Sequence, residues 1–218
     1  MSSLQNPTAG KSEPSSAKLI ATLSFAGLLS GIIIVLAFEA TLPTITDYKA
    51  RMLRQAVFKV LPGVSDMKQM VYRDGALTLS EQAQKDDQVI FGGYDQSGKL
   101  VGYAIPGAGP GFQDTISLLY GYLPSKRQVS GMEILASRET PGLGDKIYKD
   151  LAFVSSFETL SIDPEIKALK KGKRSKPNEI DAITGATISS KAVVRIINEA
   201  NQRWLPRLEQ TPRLGNEE

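Results

Sequence analysis

The chain has 218 residues, a formal net charge of +3, and neither cysteine nor histidine. This length accommodates one ordinary domain and an appendage, and so small a positive charge does not favour a nucleic acid as partner. Without Cys and His the chain cannot supply thiolate chemistry, iron–sulfur or haem attachment, Cys/His zinc sites or a His-based catalytic triad. A redox function would therefore depend on an organic cofactor, and we predict neither a metal site nor a catalytic side chain.

The N-terminal region combines a polar tail with a long apolar segment. Residues 1–18 are rich in Ser, Pro and Lys, which is typical of a flexible tail. Leu19–Phe38 contains twenty residues without a charge, enough for a helix to cross the roughly 30 Å hydrocarbon layer of a membrane. A cleaved signal peptide is the main alternative, but its apolar core is usually shorter, and Phe38-Glu39-Ala40 is a poor cleavage site. A buried core helix, the third option, is rarely apolar on every face, so we predict a transmembrane helix over 19–39.

The rest of the chain predicts an α+β fold, with an antiparallel sheet and flanking helices. Asp47–Leu61 has the pattern of a helix that stops at Pro62-Gly63, and Ile188–Trp204 has the period of an amphipathic helix that Pro206 ends. Four segments have the composition of β-strands, the first two joined in a hairpin: Gln88–Asp95, Lys99–Ile105, Thr115–Leu123 and Gln128–Ala136. We expect a membrane-proximal helix and linker over 40–86, the domain over 87–205 and a C-terminal tail over 206–218.

Three further features receive plainer interpretations. Pro106–Gly111 lacks the Gly-Lys-Ser/Thr ending of a phosphate loop, so we predict a mobile turn. Ile166–Lys176 is basic and is expected to be a loop or short helix. Its cations favour a solvated face, with docking to anionic lipid or an acidic partner as the alternative: Lys167, Lys170, Lys171, Lys173, Arg174 and Lys176. Four tyrosines among apolar strand residues are expected in the core: Tyr94, Tyr103, Tyr120 and Tyr122.

The segment Asp181–Thr187, with the sequence D-A-I-T-G-A-T, is the sharpest local feature. Gly185 and Ala186 allow a bulky group to approach the backbone. Thr187 lies at a helix start, where unpaired N–H groups and the helix dipole favour an attached phosphate. Asp181 could order the turn by capping or assist an enzyme that modifies the threonine. The plain alternative is that Thr187 is an N-cap residue and Thr184 a turn former.

A second segment, Arg138–Asp145, contains a Pro-Gly turn and a further glycine ahead of a helix predicted to start at Lys146. Such a turn lets the backbone come close to another group, although an ordinary loop has the same composition.

Together the two segments resemble a known family. D-x-x-[S/T]-G-A-T is similar to the flavinylation signature, whose last Thr receives FMN through a phosphoester bond made by a flavin transferase. With E-T-P-G-L-G-D and the preceding apolar span, the chain resembles the FMN-binding domain family of RnfG and NqrC from the anchor to about Trp204. RnfG is the closer match, because the chain is too short for the longer insertions of NqrC. Members often carry a His ahead of E-T-P-G-L-G, where this chain has Ser137-Arg138, so a role of that His does not transfer.

The resemblance implies one covalent FMN on Thr187, with Thr184, Gly185 and Ala186 forming the turn beneath the phosphate. It also implies that Thr140, Gly142, Leu143 and Gly144 lie against the flavin ring or ribityl chain. Position alone, in the first helical turn, makes Ser189 and Lys191 candidate neighbours of the phosphate.

The function implied is that of an electron-transfer subunit of the Rnf complex, an ion-translocating ferredoxin:NAD oxidoreductase, whose partners are other membrane subunits and iron–sulfur subunits. Lys11 and Lys18 before the span and three cations after it do not indicate an orientation. The resemblance implies a cytoplasmic tail over 1–18 and an FMN domain on the periplasmic side of the inner membrane. The alternatives are a membrane-anchored FMN-binding regulatory or sensory protein, an NqrC-type subunit, and a non-redox anchoring subunit.

Overall fold

The computed structural model describes residues 15–73, 75–80 and 87–210, and the predicted tails over 1–18 and 206–218 lie largely outside them. The chain divides into two compact units, Met1–Lys49 and Ala50–Glu218. In the first unit the described residues form the greater part of helix α1, which runs Ser16–Val60. Its large apolar side chains from Leu19 to Phe38 are exposed. By length and composition α1 can cross a membrane, which agrees with the anchor predicted over 19–39.

The helix predicted over Asp47–Leu61 is confirmed, and it continues the apolar helix without a break. In the second unit the last turns of α1 bury Ala56, Val57 and Val60 against Phe91, Ala104 and Leu119 of the sheet. The end of the helix is fixed where the Ser130 hydroxyl donates a 2.6 Å hydrogen bond to the Val60 carbonyl.

A seven-stranded, fully antiparallel sheet forms the centre of the second unit, in the order β2-β1-β3-β4-β5-β6-β7. The strands are β1 Asp66–Arg73, β2 Ala76–Leu79, β3 Gln88–Tyr94, β4 Leu100–Pro110, β5 Thr115–Leu123, β6 Gln128–Ala136 and β7 Leu160–Ser161. The four predicted strands are therefore confirmed, and so is the α+β fold. β1 and β2, within the stretch expected to be helix and linker, pair into the same sheet as β3.

Side chains alternate between the two faces of this sheet, as the period of a strand requires. Neighbours on one strand join different clusters: Tyr103 and Ile105 pack in the larger cluster, with helix α4 (Thr187–Gln210), whereas Ala104 packs with the end of α1. The four tyrosines expected in the core are buried. The phenol of Tyr120 donates a 2.7 Å hydrogen bond to Asn201 of α4.

The prediction of a mobile turn over Pro106–Gly111 is wrong, because residues 106–110 continue β4 and pair with β5. Helix packing explains the glycines. A Cβ on Gly107 would lie 2.8 Å from Ile196 of α4, and one on Gly109 would lie 2.9 Å from the same side chain. The glycines thus give α4 room to approach the strand.

The basic segment Ile166–Lys176 is partly a strand rather than only loop or helix. β8 (Lys167–Lys170) pairs in parallel with β9 (Glu179–Ala182), forming a small second sheet. Ala168 of β8 packs against the large core cluster, which accounts for the strand in a segment otherwise rich in lysine. Two short helices, α2 Lys146–Lys149 and α3 Leu151–Ser155, precede it.

Helix α4 buries the predicted apolar face: Ala192, Val193, Ile196, Ile197, Ala200 and Trp204. Pro206 does not end it, since the helix continues to Gln210. The extra turn is held from outside the helix: the Arg207 guanidinium lies 4.2 Å from the centre of the Tyr72 ring, and Leu208 packs against the core.

Candidate functional site

The segment T-G-A-T forms a tight turn at the start of α4. The Ala186 amide donates a 3.0 Å hydrogen bond to the Ile183 carbonyl, and Gly185 has φ +84°, a conformation that favours glycine. Thr184 and Gly185 are exposed, whereas Ala186 is buried. The turn is therefore accessible at Thr184 and Gly185, close to Thr187.

Thr187 is the first residue of α4, and its side chain is exposed. Its hydroxyl donates a 3.4 Å hydrogen bond to the Ile183 carbonyl, which points back along the chain. In the part of the chain that the structure describes, no helix N–H donates to this hydroxyl, so it does not act as an N-cap. A hydroxyl at a helix start that makes only this long hydrogen bond can be modified with the loss of little more than that bond.

Ser190 holds the turn in place, a function that the sequence did not suggest. Its buried hydroxyl donates a 2.8 Å hydrogen bond to the Ala186 carbonyl and accepts a 3.1 Å hydrogen bond from the Ile183 amide. One side chain thus bridges both ends of the turn beneath Thr187.

The second motif folds into a turn that adjoins the first. The amides of Leu143 and Asp145 donate hydrogen bonds of 3.2 and 3.3 Å to the Thr140 carbonyl, and Gly142 has φ +77°. The Leu143 side chain is 51% exposed, and its Cδ2 lies 3.8 Å from the position that a Cβ would take on Gly185. The structure thus brings together two motifs that are about forty residues apart in sequence.

Glu139 connects three segments of the site, although the sequence marked it only as part of the motif. One carboxylate oxygen accepts hydrogen bonds of 2.9 Å from the amides of Phe112 and Gln113. The other accepts a short hydrogen bond from the Ser189 hydroxyl of α4. The side chain of Glu139 is nearly inaccessible, with a relative exposure of 5%. Glu139, the first residue of E-T-P-G-L-G-D, therefore connects this motif to the start of α4.

Hydrogen bonding has a larger total effect than burial on the pKa of Glu139. Burial is the largest single influence and raises the pKa of Glu139, but the Ser189 hydroxyl and the amides of residues 112–114 together lower the pKa below its ordinary value. Gly111 and Gly144 leave room for it, since a Cβ on either would lie 2.5 or 2.6 Å from a carboxylate oxygen.

Asp145 is the second buried carboxylate of the motif. One oxygen forms a 2.6 Å ion pair with Lys149, which lowers the pKa of Asp145. The other oxygen is buried, and a hydrogen bond from the Gly142 amide also lowers the pKa of Asp145.

The remaining predicted site residues have different surroundings. Thr140 donates a 2.8 Å hydrogen bond to the Gln113 side chain. Ser189 is buried and bonded to Glu139, so its hydroxyl is directed away from solvent. Lys191 is exposed one turn after Thr187, on the same helix face, and lines a groove of about 420 Å³ with Glu165 and Arg195.

These residues fit a phosphate-bearing flavin. Thr187 offers an exposed hydroxyl at a helix start, Gly142 leaves open space beside the second turn, and the Leu143 side chain near Gly185 is half exposed. Thr187 and the T-G-A-T turn could hold the phosphate end, and the turn at Thr140–Gly144 could contact the remainder.

Comparison with known proteins gives a consistent result. Residues 111–202, which include both motifs, match the model of the family described as the FMN-binding domain. The G subunit of the ion-translocating oxidoreductase complex of Methanosarcina acetivorans is 29% identical over 84% of this chain and 91% of its own. The G subunit of the proton-translocating ferredoxin:NAD(+) oxidoreductase complex of Clostridium ljungdahlii is 31% identical over 72% of this chain and 85% of its own. The chain belongs to the RnfG family.

Other relatives agree with membership of the RnfG family. The G subunit of the Na(+)-translocating ferredoxin:NAD(+) oxidoreductase complex of Acetobacterium woodii is 30% identical and covers 74% of this chain and 78% of its own. Among solved structures, NqrC of Shewanella oneidensis matches with a TM-score of 0.56 over 71% of this chain and 87% of its own, at 19% identity. The NqrC match supports the fold, whereas the RnfG relatives carry the family assignment.

Proposed function

We propose that this chain is an electron-transfer subunit that carries one FMN, esterified to Thr187, in a membrane-bound ion-translocating ferredoxin:NAD oxidoreductase complex. The observation that carries the proposal is the Thr187 hydroxyl, which is exposed and weakly bonded at the start of α4. It ends a flavinylation signature in a chain of the RnfG family.

An organic redox cofactor suits a chain that has neither Cys nor His. When bound, FMN supplies reversible uptake and release of electrons, and the protein controls its position and surroundings. Attachment through the phosphate leaves the ring unmodified, so the ester retains the cofactor without changing its chemistry. The apolar Leu143 and the turn residues Thr140, Gly142 and Gly144 would contact the flavin.

The ester requires an activated donor, because condensation of FMN with a hydroxyl would have to release water in aqueous solution. A flavin dinucleotide is the appropriate class. The Thr187 oxygen forms a bond to the phosphorus of the FMN part, and the anhydride P–O bond breaks. A nucleoside monophosphate leaves, and the hydroxyl proton passes to a base of the flavin transferase.

The setting that we propose is the inner membrane, crossed once by the segment 19–39 of α1. Residues 1–18 would lie in the cytoplasm and the domain over 87–205 in the periplasm, where lost FMN could not be recaptured. Membrane and iron–sulfur subunits of the complex would be the electron-transfer partners. The relatives named as subunits of ferredoxin:NAD(+) oxidoreductase complexes favour this over a free-standing sensory protein.

Three threonine variants test the attachment site. The full chain is produced with a flavin transferase, and denatured protein is examined for fluorescence on a gel and for intact mass. Wild type and the control Thr159→Ala, at an exposed threonine outside both motifs, should carry the mass of one FMN less one water, whereas Thr187→Ala should be dark but still folded and in the membrane. Thr187→Ser should retain part of the flavin, because it keeps the hydroxyl. A wild-type band that is dark in this host, or a fluorescent Thr187→Ala band, would overturn the proposal.

A further inference from the structure

A basic groove of about 340 Å³ lies beside the flavinylation motif. Three cationic side chains line it: Lys146 from α2, and Lys171 and Arg174 from the turn after β8. None of the three forms an ion pair or a side-chain hydrogen bond within the described residues. The two carboxylates that also line the groove, Asp150 and Asp181, accept hydrogen bonds from backbone amides instead. The cations therefore remain available to an anionic partner.

Asp181 is the first residue of the motif, and its carboxylate determines the form of the basic turn. One oxygen accepts hydrogen bonds from the amides of Gly172, Lys173 and Arg174, at 2.9, 3.3 and 3.3 Å. Asp181 therefore caps the turn that carries Lys171 and Arg174, rather than the T-G-A-T turn. Asp181 therefore acts in the groove as a hydrogen-bond acceptor that fixes the backbone of the basic turn.

The groove is continuous with the acceptor turn. Four consecutive motif residues, Asp181–Thr184, form part of its wall, and the carbonyl of Ile183 in this wall is the one that Thr187 contacts. Exposed apolar side chains accompany the cations on the neighbouring helices, with Leu151 of α3 80% exposed and Tyr148 of α2 45% exposed. Aromatic and arginine side chains are enriched at protein–protein interfaces, and this surface presents both.

We propose that this basic groove is the surface on which an acidic face of the flavin transferase docks, and that Asp181 is a positioning residue that holds the basic turn for it. The proposal rests on the function proposed above. An enzyme that esterifies Thr187 must contact the residues beside the Thr187 hydroxyl before the flavin is attached. The groove meets this condition, because Asp181–Thr184 of the motif form part of its wall. Complementary charge would accelerate docking and make it sensitive to salt.

The test measures the initial rate of flavin attachment to the full chain. Protein purified in detergent from cells without the transferase is incubated with limiting transferase and a flavin dinucleotide, and covalent fluorescence is followed on denaturing gels. The double variant Lys171→Glu/Arg174→Glu should react about tenfold more slowly and recover at high transferase concentration. Added salt should slow the wild type more than the variant. The control Lys167→Glu/Lys170→Glu makes the same charge change in the same basic run, on β8 and outside the groove lining, and should react at the wild-type rate.

Two substitutions of Asp181 separate positioning from direct contact. Asn retains an oxygen that can accept the three amides, so Asp181→Asn should react within about threefold of wild type, whereas Asp181→Ala should be as slow as the groove double variant. Fluorescence of Trp204, the single tryptophan of the chain, verifies that each variant is folded.

The outcomes distinguish the two proposals. Equal rates for the groove and control double variants would overturn the proposed docking surface. Groove variants that take up flavin normally but lose electron transfer in the assembled complex would also overturn it, because the groove would then bind a redox partner. If Asp181→Asn and Asp181→Ala are equally slow in taking up flavin, the positioning role of Asp181 is overturned. A wild-type chain that takes up no flavin would instead overturn the proposed function.

Discussion

Glu139 is a carboxylate in a setting that would oppose its charge if it had no partners. Burial alone favours the neutral form, yet two backbone amides and the Ser189 hydroxyl all donate to it. Loss of this side chain would leave several buried donors unsatisfied, which costs more than the hydrogen bonds themselves contribute. Glu139 is therefore expected to stabilise the site as an ionised group that connects the two motifs.

The first prediction concerns the pH dependence of Glu139→Gln. The pKa of Glu139 is lowered in the folded chain, so its charge contributes stability above the unfolded glutamate pKa of about 4.3, and this contribution is lost as the pH falls through the folded value. The variant should be about 1–2 kcal/mol less stable at pH 7, and the difference should shrink below pH of about 4. Urea unfolding of the full chain in detergent, followed by Trp204 fluorescence, measures this.

Glu158→Gln is the matched control, because Glu158 is exposed. It should change the free energy of unfolding by no more than about 0.5 kcal/mol. A constant difference between wild type and Glu139→Gln from pH 7 to pH 3 would show that the ionised form of Glu139 is not the stabilising one.

At the scale of elements, regular patterns were predictable and tertiary effects were not. The β-rich composition of Thr115–Leu123 and Gln128–Ala136, separated by a turn segment, led to the observed strands β5 and β6. β1 was missed because its apolar Met70 and Val71 are adjacent in a segment rich in charged and polar residues. The helix continues beyond Pro206 because contacts from other elements to Arg207 and Leu208 outweigh a local preference to stop.

In the candidate site, too, local features could be predicted from the sequence and tertiary contacts could not. The sequence indicated Thr187 and both glycine turns, since these depend on residue types in a local order. It could not indicate that Leu143 approaches Gly185 or that Ser189 bonds to Glu139, because these contacts depend on the fold that brings α4 beside β4 and the loops. The roles of Ser189 and Lys191 beside a phosphate stay predictions, and the bond to Glu139 gives Ser189 a structural function in addition.

The contact between α4 and β4 leads to a second prediction. In Gly107→Ala the new Cβ would lie 2.8 Å from Cγ2 of Ile196, an atom close to the helix backbone that cannot move far. Overpacking of this kind should destabilise the chain by about 1–3 kcal/mol. The substitution should cost less when Ile196 is also changed to Ala, because the clashing atom is then absent. A double-mutant cycle of urea unfolding measures the coupling, and strictly additive effects would show that the glycine is not required by Ile196.

At the scale of the whole molecule, the proposed membrane orientation rests on the resemblance rather than on charge. Lys11 and Lys18 precede the apolar span, and Lys49, Arg51 and Arg54 follow it, so neither side has a decisive excess. The proposed arrangement places the flavin domain on the periplasmic side. The periplasmic location of the domain can therefore be tested independently of the flavin.

The absence of cysteine allows a clean test of that topology. A single cysteine introduced into the tail as Ser3→Cys, or into the exposed turn after β5 as Lys126→Cys, is the only thiol in its chain. In spheroplasts treated with a membrane-impermeant maleimide, Lys126→Cys should be labelled at once, and Ser3→Cys only after the membrane is opened by detergent. Because the proposed orientation leaves only the C-terminal side of the span outside the cell membrane, the reverse pattern would place the domain in the cytoplasm. Immediate labelling of both positions would show that the apolar helix does not span the membrane.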